Sequence, residues 1–307
     1  MHMLIILMAA FWLVSFSSYG SVVDLQEGST LRMQEGISVE DGIGNIVRLK
    51  QPARRIVALA PHIVENLYSA GAGKEIVAAV SYSDYPEEAK KLPHVGSYNV
   101  FSVEAILSFK PDLVVAWKEG SKAEHLDQLR SLGLAVYVSN PRQLEDLAKN
   151  VRDLGILTGH REAAADTAYA YLAELESLRE NFSKTEPVSI FYQVWDEPLQ
   201  TLNGEHLVSD VFKLCGGRNV FADEPSVAPK INLESLLKAN PEAIIASGMG
   251  ESRPEWLDKW RQWPSLRAAQ NDTLYFVPPD LIQRHSLRIL QGARIVCGQL
   301  EKVRALR

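Results

Sequence analysis

Short apolar runs recur along this chain, each closed by Gly, Pro or Asp and followed by apolar positions at helical spacing. Arg55–Ala60 (RIVALA) reads as a buried strand, Ile63–Ala70 as a helix stopped by Gly71, and Ile76–Val80 as the next strand. A helix through Leu126–Leu132, a strand at Ala135–Val138 and a helix from Gln143 to Leu157 continue the alternation. Beyond Pro187 it resumes with a strand at Val188–Val194, a helix at Leu207–Leu214 closed by Cys215–Gly216–Gly217, and a strand at Leu274–Val277. A final helix spans about Leu287 to Ala305. Strands alternating with helices predict parallel α/β sheets, and the short connections agree.

Two segments are copies of one unit. Val103–Trp117 (VEAILSFKPDLVVAW) and Leu233–Ser247 (LESLLKANPEAIIAS) align without a gap. Each reads as a short helix, a proline turn and a buried strand, with Glu104 and Glu234 at equivalent second positions. An internal repeat implies two similar lobes, and a cleft between lobes is where small-molecule sites lie. Between the halves, Arg161–Asn181 (REAAADTAYAYLAELESLREN) lacks Gly and Pro and is rich in Ala, Leu and Glu. Such a stretch predicts a long helix, read either as a rigid bridge or as an ordinary packing helix.

The expected architecture is therefore two Rossmann-like α/β lobes with parallel sheets, joined by one long rigid helix, with a ligand cleft between them. The expected boundaries are an export segment at 1–20, a polar, poorly patterned stretch at 21–53, a first lobe at 54–158, a bridge at 159–186 and a second lobe at 187–307.

Composition narrows the function. A formal net charge of −6 with no basic run argues against a nucleic-acid partner. Met3–Phe16 (MLIILMAAFWLVSF) is uncharged and apolar, and the small-residue segment Ser17–Ser21 comes next, as in a cleaved secretory signal. Little positive charge precedes the run, which leaves an uncleaved anchor as the alternative. No Cys stands at the cleavage zone, so the expected product is soluble, exported and without a lipid anchor. Cys215 and Cys297 are the only cysteines. In an exported chain they read as a disulfide if the fold brings them together, and otherwise as two buried thiols.

No GxSxG, P-loop, HExxH or GxGxxG is present, so nothing positions a nucleophile, a phosphate, a zinc ion or a dinucleotide. His62, His94, His125, His160, His206 and His285 are scattered and read as surface or structural residues. No catalytic residue, metal site or cofactor is expected. Aromatic and polar residues instead collect after strands: Tyr82, Asp84 and Tyr85; Trp117; Trp195 and Asp196; Asp280, Gln283 and Arg284. Ligands bind beyond the carboxyl ends of strands in open α/β sheets. This set suits a large, flat, amide-decorated molecule.

The order of RIVALAPHIVENLYSAGAG, SYSDYPEEAKKLPHVGSYN, VEAILSFKPDLVVAW, the long central helix, KLCGGRNVF and PPDLIQRHSLRIL resembles the periplasmic cobalamin-binding proteins of ABC importers, in the helical-hinge class of substrate-binding proteins. The resemblance covers nearly all of Arg54–Leu300. It implies a non-enzymatic, monomeric periplasmic receptor that captures a corrinoid and hands it to a permease and, through it, an ATPase. Tyr82, Trp117, Asp280 and Arg284 match ligand contacts, and Tyr98 stands where the family carries Trp. Ala228 falls near an expected Trp, a wall that Trp195 is then expected to supply. Cys215 and Cys297 match the family's disulfide partners, and Glu104 and Glu234 match the glutamates that dock on permease arginines. The alternatives are a ferric-siderophore or haem receptor of the same class and an exported metal-dependent hydrolase.

Overall fold

The computed structural model describes residues 36–182, 184–248, 250 and 252–307. The expected export segment lies outside the described residues. The stretch expected to lack pattern contains a β-hairpin: β1 (Ile37–Glu40) and β2 (Ile46–Leu49) pair antiparallel, with Ile37 opposite Leu49. Asp41 builds its turn by accepting the Ile43 and Asn45 amides at 3.0 and 2.8 Å. Only Val39 and Val47 of the two strands are buried, too few positions for a period-two signal.

The first lobe contains β3 (Ile56–Ala58), α1 (Pro61–Ser69), β4 (Ile76–Ala78), α2 (Val103–Ser108), β5 (Leu113–Trp117), α3 (Ala123–Ser131), β6 (Val136–Ser139) and α4 (Leu144–Thr158). Its strands are all parallel in the order β4-β3-β5-β6. Alternate side chains point to opposite faces. Ile56, Ala58, Leu113, Val115 and Tyr137 pack with α1 and α4, whereas Val57, Val114, Ala116, Val136 and Val138 pack with α2 and α3. Both faces are thus covered, which explains why these strands read as continuous apolar runs.

After α5 (Arg161–Phe182), the second lobe contains β7 (Val188–Gln193), α6 (Leu207–Leu214), β8 (Gly217–Asn219), α7 (Leu233–Ala239), β9 (Ala243–Ala246), α8 (Arg267–Gln270), β10 (Leu274–Phe276), α9 (Pro279–Ile282) and α10 (Ile289–Arg304). Its parallel order is β10-β9-β7-β8. Cys215, at the end of α6, and Cys297, in α10, are joined in a disulfide with Cα atoms 4.7 Å apart.

The repeat is physical as well as textual. α2 and α7 are each capped by a side chain, Ser102 accepting the Ala105 amide at 3.1 Å and Asn232 the Ser235 amide at 2.7 Å. Each copy stops before its proline on a left-handed non-glycine residue, Lys110 at φ 47° and Asn240 at φ 43°. The acidic tenth residue then clasps the start of the neighbouring strand. Asp112 accepts the Arg54 and Arg55 amides at 2.8 and 3.0 Å, and Glu242 accepts the Ser189 amide at 2.9 Å.

The lobes are tied by a helix pair rather than by α5 alone. At ~1.5 Å per residue, the 22 residues of α5 span about 33 Å. Its buried residues, Ala164, Ala168, Tyr171 and Leu175, form one narrow stripe. The partner α4 straddles the boundary: Leu144, Leu147 and Ala148 belong to a core of the second lobe, and Val151, Leu154 and Leu157 to one of the first. A Cβ on Gly155 would sit 2.2 Å from that of Ala164, so the close approach of α4 and α5 requires glycine there.

Candidate functional site

The carboxyl ends of β3, β4 and β5 in one lobe and of β9 and β10 in the other surround a cavity of about 380 Å³. His62 follows β3, Tyr82 follows β4, Trp117 ends β5 and Tyr98 comes from the loop before α2. Across from them stand Gly248, Pro279, Asp280, Gln283 and Arg284. Six of the seven side chains expected to bind ligand, Tyr82, Tyr98, Trp117, Asp280, Gln283 and Arg284, are thereby brought to one cavity. Trp195 is not among the residues lining it. Its indole donates to the Glu197 carbonyl at 3.0 Å, and its backbone bridges Gln200, whose amide donates to the Ala228 carbonyl at 3.2 Å.

The two tyrosines of the aromatic wall are presented to solvent, while Trp117 is partly buried against the first-lobe core. Tyr82 is 76% exposed and Tyr98 44%, with Tyr98 and Trp117 ring centroids 6.1 Å apart. Tyr82 also holds a left-handed backbone at φ 65°, a costly conformation for an aromatic residue and one that concentrates at ligand clamps. On the opposite side Gln283 is fixed by donating to the Ser247 carbonyl at 2.8 Å.

Beside the cavity lies an interlobe charge cluster. Arg284 Nη1 donates to Glu65 at 2.8 Å and to Asp84 at 2.7 Å, and Nη2 pairs with Asp280 at 3.0 Å. Arg288 reaches the same Glu65 oxygen at 3.2 Å, with its guanidinium 3.8 Å above the Tyr85 ring. Ser286 donates to the other Glu65 oxygen. Burial works against the Arg284 charge, but the hydrogen bonds to Asp84 and Glu65 outweigh it and hold its pKa above the ordinary arginine value. Glu65, Ser286 and Arg288 were not among the expected residues. The one signal for them is a Glu–Asn pair inside the otherwise apolar run of α1, since Asn66 is buried too and donates to the His285 carbonyl at 2.9 Å.

Three of the histidines expected to be scattered instead meet at the lobe seam. His62, His285 and His206 form a file with successive ring centroids 5.4 Å apart, and His62 stands edge-on to Trp117 at 5.1 Å. Burial, then Arg284, lowers His62 to about 3; burial, then Arg142, lowers His206 to about 4. His285 is lowered too, by burial and then by the other two imidazoles. Among the described residues, His62 Nε2 and both His285 nitrogens find no hydrogen-bond partner although they are buried. Nor is any group of three or more His, Cys, Asp or Glu among the described residues arranged to hold a metal ion. No described helix is long and apolar enough to cross a membrane.

Glu104 and Glu234 lie away from the cavity lining, exposed in the first turns of α2 and α7. Its own backbone amide and then the Ser102 hydroxyl, 3.0 Å away, lower the Glu104 pKa.

Two parallel α/β lobes, a helical tie and a cleft lined from both sides define a substrate-binding protein of the helical-hinge type. The chain belongs to the periplasmic binding protein family, whose model matches residues 56–281. It is 36% identical over 251 residues to the vitamin B12-binding protein of Vibrio cholerae serotype O1, covering 81% of this chain and 90% of that one. The Vibrio campbellii vitamin B12-binding protein is 35% identical over 257 residues, covering 83% and 92%. The crystal structure of the periplasmic vitamin B12-binding protein BtuF of Vibrio cholerae superposes with a TM-score of 0.77, over 82% of this chain and 98% of that one, at 35% identity. The periplasmic heme-binding protein RhuT of Roseiflexus sp. RS-1 shares the fold, with a TM-score of 0.73 at 22% identity over 82% of this chain and 99% of that one.

Proposed function

We propose that this protein is a periplasmic receptor that captures cobalamin or a related corrinoid between its lobes and delivers it to an ABC permease coupled to an ATPase. The observation that carries the reading is the cavity itself: exposed, flat Tyr82 and Tyr98 with Trp117 on one side, Asp280, Gln283 and Arg284 on the other. A flat, amide-fringed ring needs that division, with apolar area beneath it and a few polar groups at its edge. The relatives' binding of vitamin B12 supports the same ligand.

In this reading the protein binds without covalent chemistry and acts as a monomer. Trp195, 40% exposed and bridged through Gln200 to the Ala228 segment, supplies the aromatic surface that Ala228 lacks. Glu104 and Glu234 dock on permease arginines. Helices α2 and α7 run antiparallel to their strands, so their amino ends lie at the sheet edge that carries the cleft. Two equivalent carboxylates there suit a pseudo-symmetric partner through charge-assisted hydrogen bonds. A haem or ferric-siderophore receptor would need cations to meet propionates or hydroxamates. Among the described residues the one cation lining the cavity, Arg284, is engaged by carboxylates.

The test is an absorption spectrum after incubation with cyanocobalamin and desalting. Retention of the corrin bands with one chromophore per chain supports the reading; their complete loss on desalting, with no heat of binding in calorimetric titration, refutes it.

A further inference from the structure

Gly120 has no side chain, and two rings of the cavity wall close on the place where one would be. A Cβ there would lie 2.6 Å from Trp117 Cε3 and 3.2 Å from both Trp117 Cζ3 and Tyr98 Cδ2, inside the ~3.5–4.0 Å at which carbon atoms pack. No positive φ calls for glycine at this position, so the demand comes from the rings and not from the backbone. The turn that carries Gly120 is pinned on both sides of it. The Lys118 amide donates to the Ser139 carbonyl and the Ser121 amide to the Trp117 carbonyl, each at 3.0 Å, and Glu119 pairs with Arg142 at 2.7 Å. Trp117 has little room to yield sideways, since buried His62 and His285 stand edge-on to it with ring centroids 5.1 and 5.4 Å away. Gly120 is itself buried and is not among the described residues lining the cavity, whereas Trp117 and Tyr98 are, so it meets the rings from the side away from the ligand space.

We propose that Gly120 is a positioning residue of the ligand site: the space left by its missing side chain seats the Trp117 and Tyr98 rings and sets how far the aromatic wall reaches into the cavity. The inference rests on the corrinoid-receptor reading and adds to it a residue that touches no ligand. With the turn and the two histidines fixed, a methyl group at position 120 has one outlet. It drives the rings toward the cavity of about 380 Å³, and a flat ligand must then force them back before it can stack. One methyl group too many in a close-packed site is enough to shift side chains from their preferred positions.

Calorimetric titration of the full protein with cyanocobalamin reads the effect. Gly120→Ala is expected to weaken binding by about tenfold. A double-mutant cycle separates positioning from a general loss of structure, because groups in contact couple whereas independent ones add. With Trp117→Ala already in place the methyl group has the ring's space to occupy, so adding Gly120→Ala should then change affinity by less than about threefold. If Gly120→Ala alone folds too poorly to titrate, its urea midpoint carries the same test: adding Trp117→Ala should raise the midpoint, whereas a further fall overturns the inference. Unchanged affinity in Gly120→Ala overturns it as well, as does an equal loss with and without Trp117, and both results leave the receptor reading intact. An unmodified protein that binds no cyanocobalamin overturns the receptor reading and the inference with it.

Discussion

Acidification should loosen this protein well before its carboxylates titrate, because the file of His62, His285 and His206, the first two buried and the third half-buried, is held in the neutral form. Each is an ordinary histidine near 6.5 in the unfolded chain, whereas burial lowers His62 to about 3 and His206 to about 4 in the folded protein. The unfolded state therefore binds more protons than the native state wherever the pH lies below about 6.5, so stability is full above that value and falls as the pH drops toward the folded pKa values. At pH 5 each folded imidazole is still neutral. The cost is then fixed by the unfolded pKa, at about 1.4 kcal/mol per unit. Over the ~1.5 units between 6.5 and 5, that is about 2 kcal/mol for each of His62 and His206, or about 4 together, with His285 acting in the same direction. Against a typical total of about 5–15 kcal/mol this is a large fraction.

Urea unfolding at pH 7 and pH 5, followed by tryptophan fluorescence, measures the loss. His206 gives the cleanest variant, since its Nδ1 accepts the Val208 amide at 3.1 Å and so caps α6. His206→Asn keeps an N-cap acceptor while removing the titrating ring, and should recover about 2 kcal/mol of the acid loss. Identical stability at the two pH values, or a pH slope untouched by His206→Asn, would show that the file is solvated or already protonated and would refute the reasoning.

Tyr82→Ala and Trp117→Ala should each weaken cyanocobalamin binding by about tenfold or more, since each removes aromatic area from one wall of the cavity; unchanged titrations would move the site elsewhere. Reduction of Cys215–Cys297, which closes a loop of sequence separation 82, should cost about 2–4 kcal/mol, read as a lower urea midpoint with reductant present. Two alkylatable thiols in exported protein would contradict the bond itself. The double change Glu104→Lys and Glu234→Lys should leave cyanocobalamin affinity near that of the unmodified protein while pull-down with the permease complex in detergent falls sharply. Lost ligand binding with normal docking would place these glutamates in the cleft.

The inner strands were legible in the sequence because they are buried on both faces and write themselves as apolar runs, as in Leu113–Ala116 and Ala243–Ala246, whereas the edge strand Gly217–Asn219, with Arg218 exposed, reads only as the stop of α6. The hairpin at Ile37–Leu49 was not legible either, since one inward valine per strand carries no periodicity. The role of α4 was hidden for a different reason. Its apolar stripe is continuous, and nothing in a continuous stripe tells that Leu144–Ala148 faces one core and Val151–Leu157 another.

The same distinction governs the site. Strand ends located Tyr82, Trp117, Asp280 and Arg284, because position after a parallel strand is a local property. Trp195 also follows a strand, yet the bridge to Gln200 turns its loop, and a pairing between loops leaves no periodic trace. Glu65 and the histidine file depend on partners in distant parts of the chain, so their meaning exists only once the lobes are assembled. What a sequence offers for such groups is the local anomaly alone: a Glu–Asn pair on the buried face of α1, or a His beside it in the same helix. Each is energetically unreasonable in its own lobe, because a buried charge or polar group without a partner costs several kcal/mol. The second lobe must therefore supply the partners. It does so for Glu65 and Asn66 but, among the described residues, leaves His62 Nε2 without one, so the seam is matched in its charges yet intolerant of the protons that acid would bring.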